Sequence, residues 1–493
     1  MALISGRALP VWAVFFALAL TLGPTGGAAG SIIDYFLRAE DLSVARTEGP
    51  GSVRLDGMAR LELVVEDENN EINLIDYGRN RAGVVLDKDR WSVETWSRFG
   101  NRLQDPRDVT RRRFKTGNIG AEVIYRNPGQ RAYGGSLDYR RLHGSRNFGD
   151  TYQVKGNAYR VFYNERPFSW LTAAISASLL SENEDRTSKD VYALAHEADR
   201  PETQLAAAFL HGPLRIGATW TILRGEITGI GEDNASFHTD VHTWSRPQDT
   251  YSAQVIYNQG RLQGGAYVRR YAFEGGEEAE ISWSDRFPMN GSQENFALLT
   301  TTFTESVENS AVGTRWMFKP RRHLRLGASL VSETSSSEVS EAINFKGTRR
   351  AHDIETSRVR LGGGAGATVL NERVQLGLEA YLERGDETDR GERRTIERTW
   401  ESRSVRLGME YFWRRDFVVR GGVVLEDLDL DVDEPASRRH GGLYTFGASY
   451  LPRGGVVQID AAVGFEQRNR AVTGSTEKVF EELTWGLALR YII

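Results

Sequence analysis

Along most of the chain apolar and polar residues alternate one by one. In LRIGATWTI, from Leu214, the side chains of Leu214, Ile216, Ala218, Trp220 and Ile222 share one face, and Arg215, Gly217, Thr219 and Thr221 the other. The same period runs through LRLGASLV from Leu324, VQLGLEAYL from Val374, VRLGMEYFW from Val405 and VQIDAAVGF from Val457. A period of two places successive side chains on opposite faces of an extended strand. Less regular stretches of similar length fill the intervals, among them WSVETWSRF from Trp91 and YSAQVIYNQ from Tyr251. Helical spacing explains few of these windows, so the chain from about residue 89 onward is predicted to be all-β.

Turn signals separate these stretches in two kinds. Short ones are Lys319-Pro320-Arg321-Arg322, Leu370-Asn371-Glu372-Arg373, Arg414-Arg415-Asp416 and Pro452-Arg453-Gly454-Gly455. Between them lie longer polar segments read as loops: SETSSSEVSEAINFKGTRR from Ser332, ERGDETDRGERR from Glu383, EDLDLDVDEPASRR from Glu426 and EQRNRAVTGSTEK from Glu466. Short turns at one end and long loops at the other are the layout of a transmembrane antiparallel up-and-down β-barrel. About 22 strands are expected, at roughly 18 residues each with a connection, against the 9–11 that cross a tilted span. The boundaries at Ala198 to Glu202 and at His211-Gly212-Pro213 are open to reassignment, so any even number from about 16 to 24 is compatible. Within a bilayer no water satisfies a free sheet edge, so the sheet must close, with its apolar face to lipid and its polar face to the lumen.

Composition narrows the setting. In the first thirty residues Arg7 is the only charge, Val11 to Leu22 is nearly all apolar, and Gly23-Pro24 precedes small residues. This is the form of a secretory signal peptide, assigned to residues 1–30. No later run approaches the length of an apolar transmembrane helix, and mean hydropathy is -0.45. The chain of 493 residues has 0 Cys, which excludes disulfides, thiolate zinc and a lipoprotein anchor. Charge is balanced, 62 basic against 67 acidic residues, which speaks against nucleic acid as a partner. Residues 31–88 lack the repeat and are read as an N-terminal periplasmic or lumenal segment, a small plug; within it GMARLELVVED from Gly57 has the pattern of a strand. Residues 89–493 are the barrel.

The final stretch, EELTWGLALRYII, resembles the C-terminal targeting signal of bacterial outer-membrane β-barrel proteins, with Thr484, Gly486, Leu489 and Tyr491 in the matching places. It departs from that signal by running on through Ile492-Ile493. The resemblance implies a bacterial outer-membrane location, recognition by the barrel-assembly machinery, and pairing of the last strand with the first. NRAGVV from Asn80 resembles the NPAG motif of fatty-acid transporters of the FadL type, with Arg81 in place of Pro.

Few residues suggest chemistry. Arg or Gln two places before Gly recurs at Arg215, Arg325, Gln375 and Arg406, and Arg420 is similarly placed, putting guanidinium groups on the lumenal face. They either line a pore that favours anions or pair with Glu379, Glu410 or Asp460 in a packed interior. Asp427, Asp429, Asp431 and Asp433, spaced by two, fit a solvated strand above the membrane better than a Ca²⁺ loop, which would need its Gly. His238 and His242 would stand about 13 Å apart on a strand, too far to share a metal. The glycines of LGGGAGA from Leu361 relieve crowding inside the barrel. No nucleophile, dinucleotide or phosphate-loop motif is present, so no catalytic residues, metal or cofactor are assigned. The function expected is a channel or transporter for small solutes; a scaffold barrel holding a partner protein and a barrel hydrolase are the alternatives. Outer-membrane lipids and a periplasmic partner or a second copy are the expected contacts.

Overall fold

The structure is a computed structural model. It describes residues 57–59, 61, 63–65 and 90–492, the last without the connections 105–111, 147–150, 189–191, 225, 234–236, 242–243, 246–247, 285–295, 344–347, 392–394, 433–436, 453–455 and 473–474. Its strand segments are β1 (Trp91–Gln104), β2 (Arg112–Asn127), β3 (Arg131–Arg146), β4 (Thr151–Phe168), β5 (Leu171–Ser188), β6 (Tyr192–His211) and β7 (Leu214–Leu223). Next come β8 (Glu226–Asp233), β9 (Phe237–Val241), β10 (Trp244–Ser245), β11 (Gln248–Gln259), β12 (Leu262–Ser284), β13 (Phe296–Arg321) and β14 (Leu324–Ile343). The last are β15 (Thr348–Val369), β16 (Val374–Gly391), β17 (Thr395–Phe412), β18 (Phe417–Val432), β19 (Ser437–Tyr450), β20 (Val457–Val472) and β21 (Ser475–Ile492).

These segments make 18 strands. Segments β7 and β8 are one strand, because both pair with β6 in one register, Glu202↔Leu223 before the break and Asp199↔Glu226 after it. Pieces β10 and β11 likewise share one register against β12, with β9 displaced by one residue. All neighbours are antiparallel, and β21 pairs with β1 from Ser92↔Ile492 to Gln104↔Phe480, closing the barrel.

The expectation of about 22 strands is therefore corrected to 18, within the even range allowed. The reason is strand length. Single strands run from 14 to 26 residues, well beyond the roughly 9–11 a bilayer requires. All four polar segments read as loops are largely strand: β14 continues to Ile343, β16 to Gly391, β18 to Val432, carrying Asp427, Asp429 and Asp431 on a strand, and β20 to Val472 before β21 starts at Ser475. Ala198 to Glu202 lies inside β6, whereas His211 to Pro213 is a true turn with Gly212 at φ 57.

Side-chain alternation divides each strand. On β16 Leu376 and Leu378 point outward and are exposed, followed on the same face by Ala380, Leu382, Arg384, Asp386 and Arg390. Repeated around the wall, this makes an apolar belt near the short turns and a polar extension beyond it. Aromatic side chains crowd the belt's short-turn edge: Trp91 with Tyr125, Tyr125 with Tyr133, Phe168 with Trp170, and Trp413 with Phe417. A closed antiparallel barrel with an apolar belt and an aromatic rim is the form of an outer-membrane protein. Strand β1 begins and β21 ends on the short-turn side, which in that form faces the periplasm.

Candidate functional site

Residues 57–59, 61 and 63–65 lie against the inner wall, across β14 to β19. They form a turn at 57–59 and no strand, so the strand expected from Gly57 is not formed among the described residues. Met58, Leu61, Leu63, Val64 and Val65, each at most 3% exposed, make an apolar cluster with Tyr381. Their burial is against glycines. A Cβ placed on Gly327 would stand 2.6 Å from Leu63 Cβ, on Gly377 2.5 Å from Leu61 Cδ1, on Gly408 2.6 Å from the Met58 carbonyl, and on Gly422 2.6 Å from the Ala59 nitrogen. Gly364 and Gly366 meet Val64 in the same way, and Gly447 meets Gly57.

The register makes these glycines one track. Gly327 is opposite Gly364, and Gly366, Gly377, Gly408 and Gly422 are opposite one another in turn on β15 to β18. A track without Cβ atoms lets a second backbone approach the sheet. The crowding expected at LGGGAGA is thus located: Gly364 and Gly366 face the lumenal segment, and Gly362 faces Ser329 and Tyr381.

One carboxylate holds the segment in place. Glu379, fully buried on β16, accepts the backbone N–H of Leu63 at 2.5 Å and of Val64 at 3.1 Å on Oε1. Its Oε2 accepts the Tyr381 hydroxyl at 2.8 Å. Arg360 and Arg406, on the strands to either side, set their guanidinium groups 4.4 and 4.6 Å from the Tyr381 ring centre. Both cations thus lie on the ring whose hydroxyl bonds the carboxylate, and Arg406 is directly opposite Glu379 in the ladder. Farther along, the Ala59 N–H donates to Thr445 Oγ1 at 3.0 Å.

A second buried group lies beside it. Arg420 on β18 donates to Glu410 Oε1 at 2.7 Å and to Asp460 Oδ1 at 3.2 Å, and also to Ser449, whose hydroxyl donates to Asp460. Of the four arginines placed on the lumenal face by the sequence, Arg420 is thus a paired interior cation. Arg406 covers Tyr381 and stands in register with Glu379. Arg325 is opposite Gly366 at the end of the glycine track. Arg215 lies on the far wall, opposite Leu210 and Ile256. The four share the inward face and no common height.

Glu379, Tyr381 and the glycine track were not foreseen as a site. Their signal was present: Gly327, Gly377, Gly408 and Gly422 each stand two residues after Arg or Gln, on the same face and at a similar depth. In the closing strand Thr484 and Gly486 face inward opposite Gly100 and Arg98, while Leu489 and Tyr491 face outward. Among the described residues no group of His, Asp or Glu is arranged to hold a metal. His242, residues 1–56 and NRAGVV lie outside the described residues, and so does the side chain of His238.

No family model matches the chain, and no curated protein matches its sequence. Solved barrels of similar overall form include the ferric yersiniabactin uptake receptor FyuA from Yersinia pestis, at 8% identity and TM-score 0.42, covering 81% of this chain and 80% of that one. A Pseudomonas aeruginosa FadL homologue matches at 9% identity and TM-score 0.41 over 90% of this chain and 98% of its own. The copper transporter OprC matches at 10% identity and TM-score 0.41, with 80% of each chain covered. At these values the likeness assigns no activity.

Proposed function

We propose that this barrel is an outer-membrane channel or transporter for small solutes, closed near its periplasmic end by the segment around residues 57–65. The supporting observation is the way that segment is held: by apolar contact over a glycine track and by two N–H donors on Glu379. No covalent link fixes it, since the chain has 0 Cys. A barrel of 18 strands is too wide for strand side chains to fill, so a separate segment is needed to close it. Arg325 and Arg406, on the inward face to either side of the glycine track, give the path its affinity for anions.

The test is conductance of the refolded full chain in a planar bilayer under a salt gradient, beside a variant lacking residues 57–65. The wild type is expected to stay closed most of the time, and the deletion to open steadily with anion preference. A deletion variant that folds and still passes no current would overturn the reading.

A further inference from the structure

The outer wall above the apolar belt is charged all round, but one sector is built differently. On β15 to β17 the outward cations meet carboxylates: Arg390 bonds Asp353 at 3.0 Å and Glu355 at 2.9 Å, and Arg384 and Arg403 both bond Glu401. On β12 and β13 Arg270 lies 2.5 Å from Glu308. These pairs neutralise themselves.

On β2 to β4 the outward positions beyond Ile119, Tyr139 and Tyr159 are Gly117, Lys115 and Arg113, then Arg141, His143 and Ser145, then Asn157, Lys155, Gln153 and Thr151. No carboxylate is among them. Arg141 and Lys155 are directly opposite in the ladder, and Lys115 is one step diagonal to Arg141. Like charges at opposite positions destabilise a sheet unless an anion lies between them. Arg113, Lys115, Arg141 and Lys155 are all exposed, and Arg141 bonds the neutral Gln153 at 3.4 Å.

Height identifies the anion. Directly below the cations on the same face are Ile119 and Tyr139, then Leu137 and Tyr159, with Ile119, Leu137 and Tyr159 each about half exposed. One outward position along a strand is about 7 Å, which sets the cations just past the lipid-facing aromatics, at headgroup level. The end of the barrel away from the short turns is the extracellular one, so the headgroup belongs to the outer leaflet. We infer that Lys115, Arg141 and Lys155, with Arg113 above them, bind the phosphate groups of an anionic glycolipid headgroup in the outer leaflet. Acyl chains of that lipid lie along Leu137, Tyr159 and Val161, and its phosphates bridge the two facing cations. The site rests on the barrel's orientation in the membrane and is independent of conduction.

The test is native mass spectrometry of the refolded full chain in micelles with lipid A, which carries phosphates, and with the same lipid A enzymatically dephosphorylated. The triple variant Lys115→Gln, Arg141→Gln, Lys155→Gln is compared with a control, Arg384→Gln, Arg390→Gln, in the self-paired sector; heat-modifiable migration verifies folding of both. Bound lipid A is expected to fall about a hundredfold in the triple variant and by less than about twofold in the control. Dephosphorylated lipid should bind the wild type no better than lipid A binds the triple variant. Equal binding of the two lipids, or equal loss in the control, would overturn the site. Displacement of lipid A by millimolar inorganic phosphate would overturn the lipid as its occupant. Conductance of the same samples reports on the channel separately.

Discussion

The backbone N–H of Leu63 donates to Glu379 Oε1 at 2.5 Å, joining residues 316 apart in the chain. Leu63 lies in the N-terminal segment and Glu379 in the wall, so this bond and its neighbour from Val64 tie that segment to the wall. Glu379→Ala removes the acceptor and leaves two buried donors unpaired, a loss of about 1–3 kcal/mol for each. The expected outcome is a barrel that folds normally and opens on the order of 10- to 100-fold more often. Single-channel recording of the variant checks it, and an unchanged open probability would remove Glu379 as the latch.

Two glycines one strand apart give a steric test. A side chain on Gly377 would enter Leu61 and Val64, whereas Gly363 has nothing within 4 Å of its missing Cβ and faces outward. Gly377→Val should expel residues 57–65 from the wall, and Gly363→Val should leave them seated. Protease sensitivity of that segment in refolded protein distinguishes the two, with Gly363→Val behaving as wild type.

Arg420 serves the wall more than the path. Its side chain is 3% exposed and that of Glu410 1%. Arg420→Met leaves Glu410 and Asp460 buried without their cation, for which a loss of about 3–5 kcal/mol is expected. The urea midpoint for unfolding should fall accordingly. Ion selectivity of the surviving folded protein should not change, in contrast to Arg325→Gln, which should reduce anion preference.

The seam strand offers a check on which face meets lipid. Leu487 points outward at the middle of the apolar row of β21, between Trp485 and Leu489, while Ala488 points inward and is 7% exposed. Leu487→Arg should cost about 2–4 kcal/mol when the barrel folds into vesicles. Reversible folding titrations measure this; a cost near zero would mean that the belt does not sit in the bilayer core.

Above the belt, Glu355 is held below the usual glutamate range, first by its hydrogen bond from Arg390 and then by the charge of that group. A folded-state value below the unfolded one stabilises at neutral pH, and the effect disappears as pH falls through the folded value. Both side chains are exposed, so the effect is small and weakens with salt. Carbon-detected titration of labelled glutamate should find the Glu355 carboxylate below the ordinary value of about 4.3, returning toward it in Arg390→Gln.

The fold class was legible because a barrel in lipid has a local signature. Alternation at Leu214 to Ile222 and at Leu483 to Tyr491 follows from one face meeting lipid and the other the lumen, strand by strand. The pairing of the last strand with the first was readable for the same reason, since an open edge is not tolerated. Strand number was not, because polar residues above the membrane look the same in a strand as in a loop: Asp427 to Val432 belongs to the ladder through its pairing with Arg403 to Arg398 of β17, which the sequence alone does not show. A lumenal N-terminal segment was expected, but its seat on the wall was not readable. Gly377, Gly408 and Gly422 are ordinary strand glycines until the register sets them side by side, and Glu379 is an ordinary lumenal acid until Leu63 and Val64 reach it. Alternation is a property of neighbours in the chain; a glycine track and a buried latch are properties of which strands touch, and only the closed barrel decides that.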